Sequence, residues 1–106
     1  MVKRQFDVFV NPNPSSSRDV PWLLVVQSDL LDEVATQVVV PLVRPSHLGI
    51  ALTRLNPSFK VGGQSVVMLT QQIGSVRTSS LKKRAGNLES RRHEIVAAID
   101  FLLGGV

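Results

Sequence analysis

The 106-residue chain contains no cysteine and no tyrosine, one tryptophan, four phenylalanines and two histidines. Lack of cysteine excludes disulfide frameworks, thiolate zinc sites and thiol nucleophiles together, and leans toward a reducing, cytoplasmic setting. The apolar runs Leu23-Leu24-Val25-Val26 and Val38-Val39-Val40 fall far short of the ~20 residues a membrane span needs. Behind its basic start, Met1 to Asp7 lacks the apolar stretch of a secretory signal, so a soluble, non-exported protein is expected. No phosphate-binding glycine loop and no Gly-x-Ser-x-Gly string occur, which removes two large enzyme classes. What remains is 43% hydrophobic with a net charge of +4, the composition of one small domain with a core, spanning 1–106. Its pI near 10.4 favours polyanions only weakly, because the basic residues are spread along the chain.

Period-two alternation of Phe6, Val8 and Val10 with Gln5, Asp7 and Phe9 reads as a strand with one buried face. Asn11 to Asp19, with two prolines and no apolar residue, reads as a mobile surface loop. Val20 to Gln27 is a second strand, with Trp22 as core or dimer surface. Ser28 to Glu33 reads as a turn displaying Leu30 and Leu31. Thr36 to Val40 is a β-branched run whose strand is expected to end at Pro41, which has no N–H to give, with Leu42-Val43 carrying on beyond it. Residues 50–55 fit either a helical turn or an ordered loop. Gly62-Gly63 between two apolar runs predicts a hairpin. An irregular strand around Val76 and a basic loop over 82–87 follow. The helix comes last: Leu88, Ile95, Ala98, Ile99, Leu102 and Val106 fall on one face, Asn87 or Ser90 is available as cap, and Gly104-Gly105 breaks the end. Strands in series followed by one terminal helix predict an α+β domain, mostly antiparallel. So small a core leaves apolar surface uncovered, and self-association is expected.

The inventory for chemistry is thin. His47 and His93, each near arginines, are the candidates for proton transfer, although surface histidines are the commoner case. Asp29, Asp32 and Glu33 crowd together but lack the loop glycines and further ligands of a metal site, and read as solvated turn acids. Lys82, Lys83 and Arg84 with Arg91 and Arg92 form the densest basic cluster, without interleaved aromatics for stacking on bases. The unusual feature is the ending, Asp100-Phe101-Leu102-Leu103-Gly104-Gly105-Val106, which has no polar tail. With Leu30 and Leu31 beside it, an exposed apolar tip would mark a partner site.

Several strings in order are similar to the CcdB toxin family: 25–32 (VVQSDLLD), 39–42 (VVPL), 68–72 (MLTQQ) with Ser75-Val76, and 95–102 (IVAAIDFL) with Gly105. The resemblance implies a homodimer of small barrels of the Src-homology-3 (SH3-like) type, each with an accessory hairpin and a C-terminal helix, a fold shared with the MazF and Kid ribonuclease toxins. It implies a toxin without catalysis, needing no cofactor, that binds the A-type subunit of DNA gyrase and traps the DNA-cleaved enzyme. By position, the gyrase-contacting residues are Ser28, Leu30, Leu31, Asp100, Gly104, Gly105 and Val106. Well-known members carry Trp at the position of Gly104 and Asn at that of Asp100, so a large interface anchor is missing here. The resemblance also implies a CcdA-like antitoxin with an acidic segment that folds on binding, and contact with operator DNA only through the toxin–antitoxin complex. Two rivals stand beside it: a MazF-like endoribonuclease using His47 or His93, and a non-toxic homologue that keeps antitoxin binding.

Overall fold

In the computed structural model, residues 3–31, 33–48 and 52–105 are described. Among them seven strands form, β1 (Asp7–Val10), β2 (Trp22–Val25), β3 (Thr36–Val43), β4 (Ser58–Val61), β5 (Gln64–Met68), β6 (Gly74–Arg77) and β7 (Arg84–Asn87), followed by the helix α1 (Arg92–Gly104). All pairings are antiparallel, in the order β4-β5-β3-β2-β1-β7, with β6 sharing β3. The sheet curls into a half-barrel with β4 and β7 as its two end strands, and α1 covers the inner face. This is the expected α+β, barrel-like architecture.

Ile95 and Ala98 of α1 are fully buried against Phe6, Val8, Leu24, Val40 and Met68 in the main core. A second core on the other side of the sheet gathers Phe9, Leu23, Val25, Val39 and Leu81. Each fully buried side chain of this size contributes about 1.5–3 kcal/mol. With cores on both sides, β1 is not the one-faced strand its alternation suggests. Val8 and Phe9 are both inaccessible, Asp7 is buried beside them, and Val10 is the exposed residue.

Two further expectations are corrected. The strand over Thr36–Val40 does not stop at Pro41 but runs on to Val43. Proline is tolerated because β3 changes partner there. It pairs β6 through Val39 and β5 from Leu42 onward, so the side of Pro41 without an N–H faces the junction, where its carbonyl still accepts from Leu69 N–H at 2.9 Å. The segment 82–87 is not wholly a basic loop: Arg84–Asn87 is β7, paired to β1 across a bulge. Ala85 is its one apolar residue, so no apolar pattern marks it as a strand; it is held by its pairing to β1 and by the bonds of Arg84 and Asn87 to Asp7.

The glycine hairpin forms as read. Gly62 (φ 56°) and Gly63 (φ 80°) both occupy the left-handed region a two-residue turn demands. Neither Asn87 nor Ser90 caps the helix as expected: α1 starts behind Arg91 with no side-chain cap bond, Ser90 lies within a short 3-10 turn over Glu89–Arg91, and Asn87 Oδ1 accepts the Glu89 N–H of that turn at 2.7 Å. Leu88 is buried ahead of that turn, outside the helix. Of the segment left open, Ile50 and Ala51 lie outside the described residues, and Leu52 to Asn56 is a turn in which Leu55 and Asn56 N–H both donate to the Leu52 carbonyl. Asn11 is buried and ties the surface loop, donating from Nδ2 to Ser16 Oγ (3.0 Å) and the Val20 carbonyl (2.9 Å). No helix among the described residues is long and apolar enough to cross a membrane.

Candidate protein-docking site

The connection from β2 to β3 is built to push leucines outward. Ser28 Oγ accepts the Leu30 N–H (3.2 Å) and the Ser28 carbonyl accepts the Leu31 N–H (3.0 Å), forming a 3-10 turn over Asp29–Leu31. Gln27 closes its base, donating from Nε2 to the carbonyls of Leu31 and Thr36 and accepting at Oε1 from Val38 N–H at 3.0 Å. The result leaves Leu30 93% and Leu31 51% exposed. Gln5 anchors this turn to the body. Its backbone N–H donates to Asp29 Oδ1 (2.6 Å), its side-chain amide to the Val26 carbonyl (3.1 Å), and its Oε1 accepts from Arg92 at the start of α1 (3.1 Å).

The far end of α1 presents the second apolar group. Arg54 lies over the half-buried Phe101 ring, 4.6 Å from its centroid, while Asp100, Gly104 and Gly105 are exposed and Leu103 is 79% exposed. Gly105 adopts φ 70° and donates its N–H to the Phe101 carbonyl at 2.7 Å, a left-handed cap. Val106 lies outside the described residues. The helix places this tip about 20 Å along its axis from Arg92. Among the described residues no hydrogen bond, ion pair or core cluster joins Ser28–Leu31 to Asp100–Gly105. They are two separate apolar outposts, linked through the Gln5 bonds to Asp29 and Arg92 and through α1.

The two glycines should respond oppositely to alanine. A Cβ at Gly104 would meet no atom within 4 Å, and the position is helical, so Gly104→Ala should stabilise by about 0.5 kcal/mol. Gly105→Ala should cost about 1 kcal/mol, because an L side chain is strained at this φ. Thermal unfolding of the pair, with Tm moving up for one and down for the other, checks the cap.

The other candidates stay apart. His47, in the 3-10 turn Pro45–His47, is half exposed with Nδ1 3.8 Å from Asp19 Oδ2. His93 is exposed on the first turn of α1. Among the described residues, neither imidazole is joined by a side-chain bond to an arginine or to the other. Asp29 is occupied by Gln5, Asp32 lies outside the described residues, and no group of three or more acids and imidazoles gathers among those described. The basic cluster is dispersed. Arg84 binds Asp7, and Arg92 donates to Gln5 and lies 5.3 Å from the Phe6 ring centroid. Arg91 grips Glu94 through Nε (2.5 Å) and Nη2 (2.7 Å). That fork raises the Arg91 pKa and holds the Glu94 carboxyl below its usual range, chiefly by hydrogen bonding. The pair's contribution is present above the ordinary glutamate range and lost as pH falls through the depressed value; at this exposure it is under about 0.5 kcal/mol.

The model of the CcdB protein family matches residues 5–105. The chain belongs to the CcdB family. Among solved structures, it is similar to an endoribonuclease in complex with its cognate antitoxin from a mycobacterial species, at 13% identity, covering 96% of this chain and 95% of that one, with a TM-score of 0.77. A second mycobacterial endoribonuclease is similar at 14% identity, covering 98% of this chain and 93% of that one, with a TM-score of 0.71. Likeness at such low identity establishes the shared fold, and a fold of this kind can host unrelated activities.

Within the CcdB family frame, Ser28 acts in this structure as the cap of the leucine turn, and Asp100 as an exposed helix residue. Gln5 was not legible as part of the site. A lone glutamine ahead of a strand carries no motif signal, and its partners, Val26 and Asp29 on one side and Asn87 and Arg92 on the other, come from two distant parts of the chain.

Proposed function

We propose that this CcdB family chain is the toxin of a type II toxin–antitoxin pair, a homodimer that binds the A-type subunit of DNA gyrase and traps the gyrase–DNA cleavage complex. The observation that carries the reading is the exposure of Leu30, Leu31 and Leu103 on firmly braced supports. A ligand that binds only the DNA-cleaved conformer shifts gyrase toward it. Moving such an equilibrium from 1:99 to 99:1 takes about 10⁴-fold differential affinity, about 5.5 kcal/mol. Burial of three leucines at about 1.5–3 kcal/mol each is of that order. Ser28, Asp100, Gly104, Gly105 and Val106 complete the contact set, with a small backbone-exposing tip where other members carry Trp. The reading is of an inhibitor and not an enzyme, acting in the cytoplasm. A CcdA-like antitoxin neutralises it and recruits it to operator DNA; the similar endoribonuclease solved with its cognate antitoxin supports an antitoxin partner.

Purified chain, gyrase and supercoiled DNA provide the test: linear DNA should accumulate on protein denaturation, in proportion to the chain added. In a parallel incubation with single-stranded RNA, no cleavage is expected. RNA cleavage lost on His47→Ala or His93→Ala, with gyrase unaffected, would sink the reading and favour the ribonuclease.

A further inference from the structure

Beyond Ala98 the helix α1 loses its support step by step. Ile99 is its last residue packed against the main core; among the described residues Phe101 and Leu102 are half-buried outside every core cluster, and Asp100 and Leu103 to Gly105 are exposed. The last turn carries Gly104, and glycine loses more conformational freedom on ordering than any other residue. That turn also has no basic side chain of its own to set against the negative end of the helix. A terminus with so few holds frays, whereas an anchor such as Leu103 serves only if it keeps one direction.

The missing hold comes from outside the helix. The turn from Leu52 to Asn56 is fixed to the sheet through Asn56, 3% exposed, which donates from Nδ2 to the Met68 carbonyl (3.0 Å) and to Gln71 Oε1 (2.7 Å) and accepts at Oδ1 from the Leu52 N–H (3.2 Å). Buried Thr70 adds a bond from its hydroxyl to the Leu55 carbonyl. From this base Arg54 crosses to α1, where its guanidinium lies 4.6 Å from the Phe101 ring centroid. Among the described residues Arg54 forms no ion pair. Asp100 lines the same cavity of about 280 Å³ and draws the cation toward the helix end.

We propose that Arg54 is the positioning residue of the docking tip: lying over Phe101, it supplies the cation that the last turn of α1 lacks and holds Leu103 in one direction. The inference rests on the proposed function only for what Leu103 docks against. A cation–π contact at an exposed site shifts a local equilibrium by about two- to fivefold. A binding-competent fraction lowered by that factor weakens apparent affinity by up to the same amount.

Exchange of individual amides with water, read by NMR in the isotopically labelled full chain, tests this without any partner. Arg54→Ala should speed exchange at Leu103, Gly104 and Gly105 by about two- to fivefold and leave the amides of Val66 and Ala98 as they are. Arg54→Met keeps an aliphatic stem over the ring without the charge and should share the loss, while Arg54→Lys should fall between the two. Phe101→Leu should loosen the tip by itself, and Arg54→Ala should then cost less than it does in the parent. In gyrase cleavage assays Arg54→Ala should lose potency by up to about fivefold, with Arg54→Lys recovering part of it. The inference is overturned by parental exchange at the tip in Arg54→Ala or Arg54→Met, by an equal effect of Arg54→Ala in the Phe101→Leu background, or by loosening that spreads through β4 and β5. A loosened tip with full gyrase potency overturns the role in docking. A tip that responds as expected in a chain that never accumulates cleaved DNA sinks the gyrase reading alone.

Discussion

Deletion of residues 104–106 is expected to abolish gyrase cleavage-complex accumulation and growth inhibition while the domain stays folded. Gly104 and Gly105 are exposed, and the anchors of α1, Ile95 and Ala98, lie two turns earlier. The deletion removes one capping hydrogen bond, Gly105 N–H to the Phe101 carbonyl, at a cost near 1 kcal/mol. It also brings a carboxylate to the negative end of the helix, at a fraction of that. A Tm decrease of a few degrees is the whole expected effect on stability. Binding suffers more, because interface anchors cost at least about 2 kcal/mol on removal, about thirtyfold, and Leu103 at a frayed end loses its fixed direction. Leu103→Asp isolates the side chain. With 79% of it already in water, stability should move by no more than about 0.5 kcal/mol, yet poisoning should fall by about thirtyfold or more. Cleavage assays showing the truncated chain as potent as the full one would remove the tip from the site and leave Leu30 and Leu31 to explain any toxicity.

Sequence pattern reached the parts of this molecule governed by local rules. The Gly62-Gly63 hairpin needs only two adjacent residues free to adopt positive φ, and the turn over Asp29–Leu31 is started locally by Ser28, which accepts the Leu30 and Leu31 N–H groups. The helix follows from Ile95, Ala98 and Ile99 at helical spacing. What escaped depends on partners far away in the chain. Pro41 is harmless only because β5 and β6 meet beside it. The alternation of β1 misleads because a second core, closed by Leu81, forms on its other side. β7 has no apolar residue between Arg84 and Asn87 except Ala85, so no periodicity could show it. The site divides the same way: its leucines stood out by composition, while Gln5, which holds their turn, did not.

Asp7→Ala should be the most destabilising single substitution away from the apolar core. Asp7 is 1% exposed and forms an ion pair with Arg84 at 2.8 Å, 77 positions along the chain. Its Oδ1 also accepts from Asn87 Nδ2 (3.0 Å), and its Oδ2 from the Arg4 N–H (2.9 Å). One carboxylate thus fixes both the entry to β1 and the pairing of β7. Phe6 beside it sits at φ 69° and 1% exposure, tied by its own N–H to the Val25 carbonyl and by its carbonyl to the Leu88 N–H, a conformation that costs about 1–2 kcal/mol for a residue with a Cβ and persists only when its surroundings over-determine it. Breaking a buried ion pair costs about 3–5 kcal/mol. Arg84 is 47% exposed and recovers hydration, which places the expected loss near 3 kcal/mol. For a domain of this size that is a Tm decrease of about 12 °C or more. Arg84→Met should cost less, about 1–2 kcal/mol, since Asp7 keeps two donors. In the double variant the two losses should fall short of additivity by about 1 kcal/mol or more. Additive effects, or an Asp7→Ala chain melting within about 3 °C of the parent, would show that β7 is held by its backbone ladder alone and that the buried acid contributes nothing to the fold.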